Sequence, residues 1–484
     1  MKKFIRLTLA VILAIVLTFA ISACADDNVG NGGNAGNGSN VGNNADTGSA
    51  ARPTPAPVPG IAFTPEEYFE FRMDAETRGV FITRYTGNDF DIRIPEEIEG
   101  HPVTGIAGLA NHVINVYLPN TLQVIDVGAF RNNNGLTEIH IPDSVTTIGV
   151  GAFQNSLLER ITLGNSVTLI GGSAFQDTQL TSITLPESLE SIAQSAFSGT
   201  QLTSITLPES LESIGYRAFQ DTQLTSLVIP DSVTYIGNFF LIGTPITSLV
   251  IGSGVTPDER TFRGVGRTLI DLVIGDGVTT IGDGAFGGAQ ITSIIIPDSV
   301  TTIGERAFGN TPLTSVTLGS GITTLAGFNG TSYLTTIEIP NSVTEIGEWA
   351  FFQSGLTSIV IPDSVTEIGN HAFSHTPLTS ITLGNSVTTI GAEAFFQSGL
   401  TSIVIPDSVI EIGRSAFSHT PLTSVTLGNS VTTIGSSAFS RAPLTSINIP
   451  DSITYIGEVA FSQTITDDAA RERILAINPR ALHR

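Results

Sequence analysis

From residue 94 onward, apolar and polar positions alternate in a pattern that restarts about every 22 residues. The last apolar residue of the repeating element is Ile94, Leu118, Ile141, Leu163, Leu185, Leu207, Ile229 and Ile251 in the first half. It is Ile274, Ile296, Leu318, Ile339, Ile361, Leu383, Ile405, Leu427 and Ile449 in the second. In the unit that starts at Leu180, Ile183 and Leu185 alternate with Ser182 and Thr184, the period of a half-buried strand. Pro186 ends that strand because it lacks the N–H a ladder needs. Glu187 and its counterparts suit the turn that follows. Leu189 and Ile192 point back inward, and Ala196-Phe197 fills the middle with one small and one bulky side chain. Seven apolar residues cannot form an independent core, but stacked turns can, each buried side chain contributing roughly 1.5–3 kcal/mol. The fold class expected is therefore a β-rich repeat solenoid, about sixteen steps of ~4.8 Å between turns. Two adjacent stretches, Phe351–Ala394 and Phe395–Ala438, differ at only six positions, which implies duplication of whole turns.

The pattern differs at both ends. Lys2, Lys3 and Arg6 precede the apolar run Leu7–Ala20, the layout of a secretory signal. The run is short for a spanning helix, which needs ~20 residues. Ile21-Ser22-Ala23-Cys24 resembles the lipobox of bacterial lipoproteins, which implies a signal over 1–23 and lipid attachment at Cys24. Residues 24–60 read as a linker, Gly/Asn/Ser-rich and then Pro-rich, with nothing to build a core from. An open ladder needs covered ends. Residues 61–93 contain Gly79–Gly87, which fits a hairpin strand of an N-terminal cap, ahead of a solenoid over 94–464. Residues 465–484 hold Ala470, Ile474 and Ile477 at helical spacing, a short C-terminal capping helix, with Asp467 and Asp468 at its start where acid suits the dipole.

The segments Leu356–Pro362, Asp363–Gly369 and Ala372-Phe373 resemble the BspA-type leucine-rich repeat family almost letter for letter, and the likeness runs over about Ile94–Gln463. The resemblance implies a curved solenoid with a strand ladder on its concave face, no catalysis, and attachment to host matrix proteins or other cells from a membrane-anchored position on a bacterial surface. Family units often carry Cys or Asn near the last turn, where Thr178, Thr200, Thr222 and Thr376 stand here.

Composition narrows the chemistry. Only 13% of the 484 residues are charged and the net charge is −23. Without residues 1–23 the chain has 44 acidic residues against 18 Arg, a net charge of −26 and no Lys. No basic footprint exists for nucleic acid. One Cys rules out a disulfide scaffold and a Cys-based zinc site. The catalytic motifs GxSxG, GxxxxGK[ST] and HExxH do not occur. Gly282–Gly287 matches GxGxxG, but Ala285-Phe286 is the core pair of the repeat and no βαβ unit surrounds it. His371 and His375 have H-x₃-H spacing and His419 repeats His375 two turns on, without the converging ligands a metal needs. One acid per turn, such as Asp143, Asp231, Asp298 and Asp363, is too sparse for calcium and fits turn chemistry. No metal and no cofactor is expected.

The informative positions face outward from the strands. Ser182, Ser204, Ser226 and Ser248 hold the first. The second runs Thr162, Thr184, Thr206, then Val228, Val250, Val273 and Ile295, then Thr317. A stripe of four apolar residues follows either from β-propensity on a tolerant surface or from a contact site. The same region breaks the repeat: Asn238–Pro245 lacks Ala-Phe, and Thr256–Thr268 carries Arg260, Arg263 and Arg267. A second break spans Leu325–Tyr333. The stripe and the three arginines are together the candidate surface for a protein ligand. The alternatives are a structural envelope component or a glycan binder, an enzyme with its site on the irregular turns, and an ordered-water surface on the Thr/Ser ladders.

Overall fold

The computed structural model describes residues 62–74, 78–461 and 465–482. The expected signal, Cys24 and linker lie outside the described residues.

One turn shows how the sequence builds the whole. In the turn that begins at Leu356, the side chains of Leu356, Ile359, Ile361, Val365, Ile368, Ala372 and Phe373 are all buried, the seven that the pattern assigns to the core. Three sides enclose them. The first is the strand Ser358–Val360, paired in parallel with Ser380–Thr382 of the next turn. The second is the two-residue strand Glu367–Ile368, paired in parallel with both neighbours, Glu345–Ile346 and Thr389–Ile390. The third is a tight turn through Ala372-Phe373, where the Phe373 N–H donates forward to the Ala394 carbonyl at 2.8 Å and the Ala372 N–H closes the turn on the Gly369 carbonyl at 3.3 Å. The second side donates backward, Thr366 N–H to the Thr344 carbonyl at 2.8 Å. Each turn is thus bonded to both neighbours, and few backbone groups face the core unpaired.

The second-side strands make the longer ladder, which the sequence pattern had not marked as strand. A ten-stranded sheet runs from the hairpin Phe69–Met73/Val80–Tyr85 to Tyr235–Ile236, and a nine-stranded sheet from Thr280–Ile281 to Tyr455–Ile456. First-side strands form short separate sheets of two or three. The ladder breaks where Pro257 and Asp258 stand in place of the usual polar–Ile pair. Pro257 has no N–H to give, and Asp258 instead caps the short helix Glu259–Phe262, accepting from Thr261 N–H at 2.6 Å. Across this gap the first side is strongest. Ser248–Ile251 and Asp271–Ile274, four residues each, join Ser226–Val228 in one three-stranded sheet.

The third side carries two columns of residues with positive φ. Ser195 (54°), Arg217 (55°), Trp349 (57°) and His371 (55°) belong to one, Asp177 (56°), Asp221 (53°), His375 (59°) and His419 (61°) to the other. Between the columns the core phenylalanines stack: Phe130 to Phe153 at 5.0 Å, Phe175 to Phe197 at 5.3 Å and Phe197 to Phe219 at 5.5 Å. The file turns edge-on at Phe240–Phe262 (86°) and tilts at Phe262–Phe286, then restacks through to Phe461. Phe240, Phe262 and Phe328 thus fill the core position in the three irregular units, where the sequence shows no Ala-Phe pair. Gly391 is required by close approach, since a Cβ there would lie 2.7 Å from the Asn370 nitrogen of the turn before.

Buried threonines close the third side. The Thr178, Thr200 and Thr376 hydroxyls donate to the carbonyls of Phe175, Phe197 and Phe373 at 2.9, 2.8 and 2.7 Å. In an early turn Asn133 has this place and bonds in both directions, Nδ2 to the Ala110 and Val113 carbonyls and Oδ1 from Gly135 and Leu136 N–H. At the far end the helix Asp468–Ile477 buries Ala470 and Ile474, and Asp467 accepts from Ala469 and Ala470 N–H. The N-terminal hairpin enters the second-side ladder through Val80–Tyr85, paired in parallel with His101–Ile106.

Candidate functional site

The apolar stripe is a feature of the three-stranded sheet. Val228 pairs with Val250, and Val250 with Val273. Ile295 belongs to the next sheet, with Ser315–Thr317, so three of the four share a hydrogen-bonded ladder. Val228 is 51% and Ile295 63% exposed, while Val250 and Val273 are half-buried. The same outward position is as exposed at Val360 (64%) and Val404 (67%), further along the solenoid. Sequence reading missed these two because Thr382 separates them, so no run of apolar residues forms.

The three arginines lie on the third side, not on the strand that carries the stripe. Arg260 sits in the helix Glu259–Phe262 and its carbonyl accepts from Phe239 N–H at 2.9 Å. The Arg263 guanidinium carbon is 5.9 Å from the centre of the Phe239 ring, and Arg217 caps the neighbouring Tyr216 ring at 4.9 Å. Arg260, Arg263 and Arg267 are exposed, and among the described residues no carboxylate lies within ion-pair distance of them. The stripe and the arginines are therefore two groups on two sides of the turn.

The remaining candidates resolve into local bonding. The turn acids reach the next turn: Asp143 Oδ1 accepts from Asn165 N–H at 2.9 Å, Asp363 from Asn385 at 2.7 Å and Asp407 from Asn429 at 2.7 Å. Asp298 accepts from both the N–H and the hydroxyl of Ser320, and these bonds hold its carboxyl below the ordinary range. His371 approaches Glu393 (Nδ1 to Oε2 3.5 Å) and stacks on Trp349. His419 Nε2 faces Arg441 at 3.0 Å; burial first, and then the guanidinium charge, lower its pKa. An arginine thus occupies the side from which a metal ion would approach. Among the described residues no three His, Cys, Asp or Glu side chains converge as a metal site would need. Gly282–Gly287 forms a third-side turn, Gly284 at φ 61° and Phe286 buried. Among the described residues no helix is long and apolar enough to cross a membrane.

A chain of stacked, mutually bonded 22-residue turns is a repeat-solenoid protein. The family model described as "BspA type Leucine rich repeat region (6 copies)" matches residues 110–222, 146–267, 258–377 and 350–467. The chain belongs to this BspA-type leucine-rich repeat family. Among solved structures, a leucine-rich repeat protein from Bacteroides ovatus is 22% identical, with 81% of this chain and 98% of that one covered and a TM-score of 0.47. A leucine rich cell surface protein from Faecalibacterium prausnitzii is 28% identical over 67% of this chain and 95% of that one, TM-score 0.32. The pneumococcal vaccine antigen PcpA is 18% identical over 87% and 97%, TM-score 0.33. No curated protein matches the chain.

Proposed function

We propose that this is a non-catalytic binding protein of the bacterial cell surface, anchored through Cys24, that adheres to a host or neighbouring-cell protein through its solenoid surface. The observation that carries the reading is the first-side face, where Val228 and Ile295 project from hydrogen-bonded ladders and leave apolar surface on a rigid frame. Concave and extended repeat surfaces suit large partners, and contiguous exposed apolar side chains mark contact sites. The cluster Arg260, Arg263 and Arg267 adds a second, cationic element on the adjoining side, available to acidic groups of a partner.

The test separates the two elements. The mature chain is presented to matrix proteins and glycans in a pull-down, beside a variant with Val228, Val250, Val273 and Ile295 changed to Thr and one with Arg260, Arg263 and Arg267 changed to Ser. Thr already occupies the stripe position at Thr184 and Thr317, so the first variant folds. Loss of a captured protein ligand in either variant supports the reading. Capture unchanged in both, with an unchanged melting profile, sinks it. Ordered lattices of the chain with no ligand captured would favour the structural-envelope role.

A further inference from the structure

The only tryptophan of the sequence opens a second file of rings, outside the buried phenylalanine file. The Trp349 indole stacks on the His371 ring (centroids 4.0 Å apart, 11° between planes) and meets Phe352 edge-on at 4.7 Å. Phe352 then meets His375 at 5.4 Å, His375 meets Phe396 at 5.4 Å, and Phe396 meets His419 at 5.1 Å. The last three contacts are near perpendicular, at 79°, 68° and 62°. Phe352 and Phe396 directly follow the core residues Phe351 and Phe395, while His375 and His419 come from the second positive-φ column. Successive turns thus contribute rings alternately from two positions, and the file crosses four turns without a gap. His375 is exposed and the other five rings are half-buried.

Folding does not require these rings. The position after the core phenylalanine is Gln176, Gln220 or Ser440 in other turns. The file is also repeated. The 44-residue duplication presents Phe352-Gln353-Ser354-Gly355 and then Phe396-Gln397-Ser398-Gly399, so the same ring with the same exposed amide beside it recurs two turns later. A surface that repeats one chemical group at a fixed interval matches a ligand that does the same. Aromatic rings attract C–H groups through their negative faces, and the exposed Gln353 and Gln397 amides supply donors and acceptors. Glu348 and Glu393 border the file, and the chain without its signal segment is at −26, so an anionic polymer is disfavoured. Two turns at ~4.8 Å each separate Phe352 from Phe396, close to the length of two sugars in an extended glycan.

We propose that this ring file binds an uncharged polysaccharide extended along the solenoid axis, sugar C–H faces on Trp349, Phe352 and Phe396 and hydroxyls on Gln353 and Gln397. The site is independent of the strand-face reading and either can fail alone.

Trp349, as the sole tryptophan, reports occupancy directly. The full chain is titrated with the neutral hexamers cellohexaose, chitohexaose and maltohexaose, following tryptophan emission and heat of binding. At least one hexamer is expected to give a saturable emission shift. The variant Phe352→Ser/Phe396→Ser, with residues that other turns already carry, is expected to weaken it by about tenfold or more without a change in melting temperature. The Val228→Thr/Val250→Thr/Val273→Thr/Ile295→Thr variant is expected to bind as the parent does. No emission change and no heat with any of the three hexamers overturns the proposal, as does undiminished binding by the phenylalanine variant. A protein ligand lost on Phe352→Ser/Phe396→Ser, with no hexamer bound, overturns it in favour of a protein contact.

Discussion

Asp298 carries a large part of what one residue can do in a stack of turns. Its carboxylate ties one turn to the next through two bonds from Ser320, at 2.8 and 3.1 Å. Those bonds favour the charged form, so its folded pKa lies below the unfolded value near 3.9. The stabilisation is therefore complete above about pH 4 and is lost as the pH falls through the lowered folded value. An Asp298→Asn variant is expected to unfold at lower denaturant than the parent at about pH 6 and to converge on it as the pH falls through the lowered folded value; a gap that does not narrow as the pH falls would refute the role of charge. This function of the turn acids was half legible in sequence. Asp143, Asp363 and Asp407 sit where turn chemistry predicts, but that Asn165, Asn385 and Asn429 donate to them is a relation between turns, and a linear pattern does not show it. The ring file shows the same limit. His371, His375 and His419 drew notice by spacing, whereas their real partners, Trp349, Phe352 and Phe396, become neighbours only when turns stack.

At the level of the element, the repeat was legible because buried positions recur with fixed identity. Leu356, Ile359, Ile361, Val365, Ile368, Ala372 and Phe373 are named by the pattern and buried in the structure. The second-side strands were less visible, since two residues give no alternation to read. The irregular segment near residue 257 was seen as a break, but its physical cause is the loss of a ladder donor at Pro257 and of a core Ile at Asp258. Within regular turns the phenylalanine file should dominate stability. Phe197, fully buried and stacked between Phe175 and Phe219, is expected to cost roughly 3–5 kcal/mol on replacement by Ala. Phe197→Leu should retain most of that. Urea unfolding of both variants checks this, and a loss under about 1 kcal/mol for Phe197→Ala would show that neighbouring turns collapse into the cavity.

For the molecule as a whole, fold class and family were readable from the repeat, while the anchor expected at Cys24 lies outside the described residues and the partner rests on the resemblance. Stability is summed from one turn to the next, and the acidic excess opposes it. With 44 acids against 18 Arg beyond the signal segment, self-repulsion should be strong in dilute buffer. Raising ionic strength from about 0.01 M to 0.15 M shortens the screening length from about 30 to 8 Å. The thermal midpoint of the mature chain is therefore expected to rise over that range; a flat or falling midpoint would mean that the acids are already compensated locally.

The handover between ladders at Pro257 also sets how the molecule answers to force. A solenoid stretched from its two ends is pulled along its axis, across the spacing between turns. Over most of its length the second-side ladder and a stacked ring file share that tension, with first-side strands adding separate short sheets. Between Ile236 and Thr280 the second ladder is interrupted and the rings stand edge-on, so the load shifts to Ser248–Ile251 and Asp271–Ile274. The solenoid is expected to yield first in this stretch when it is stretched from its ends, and the length of chain released in a single-molecule extension checks this.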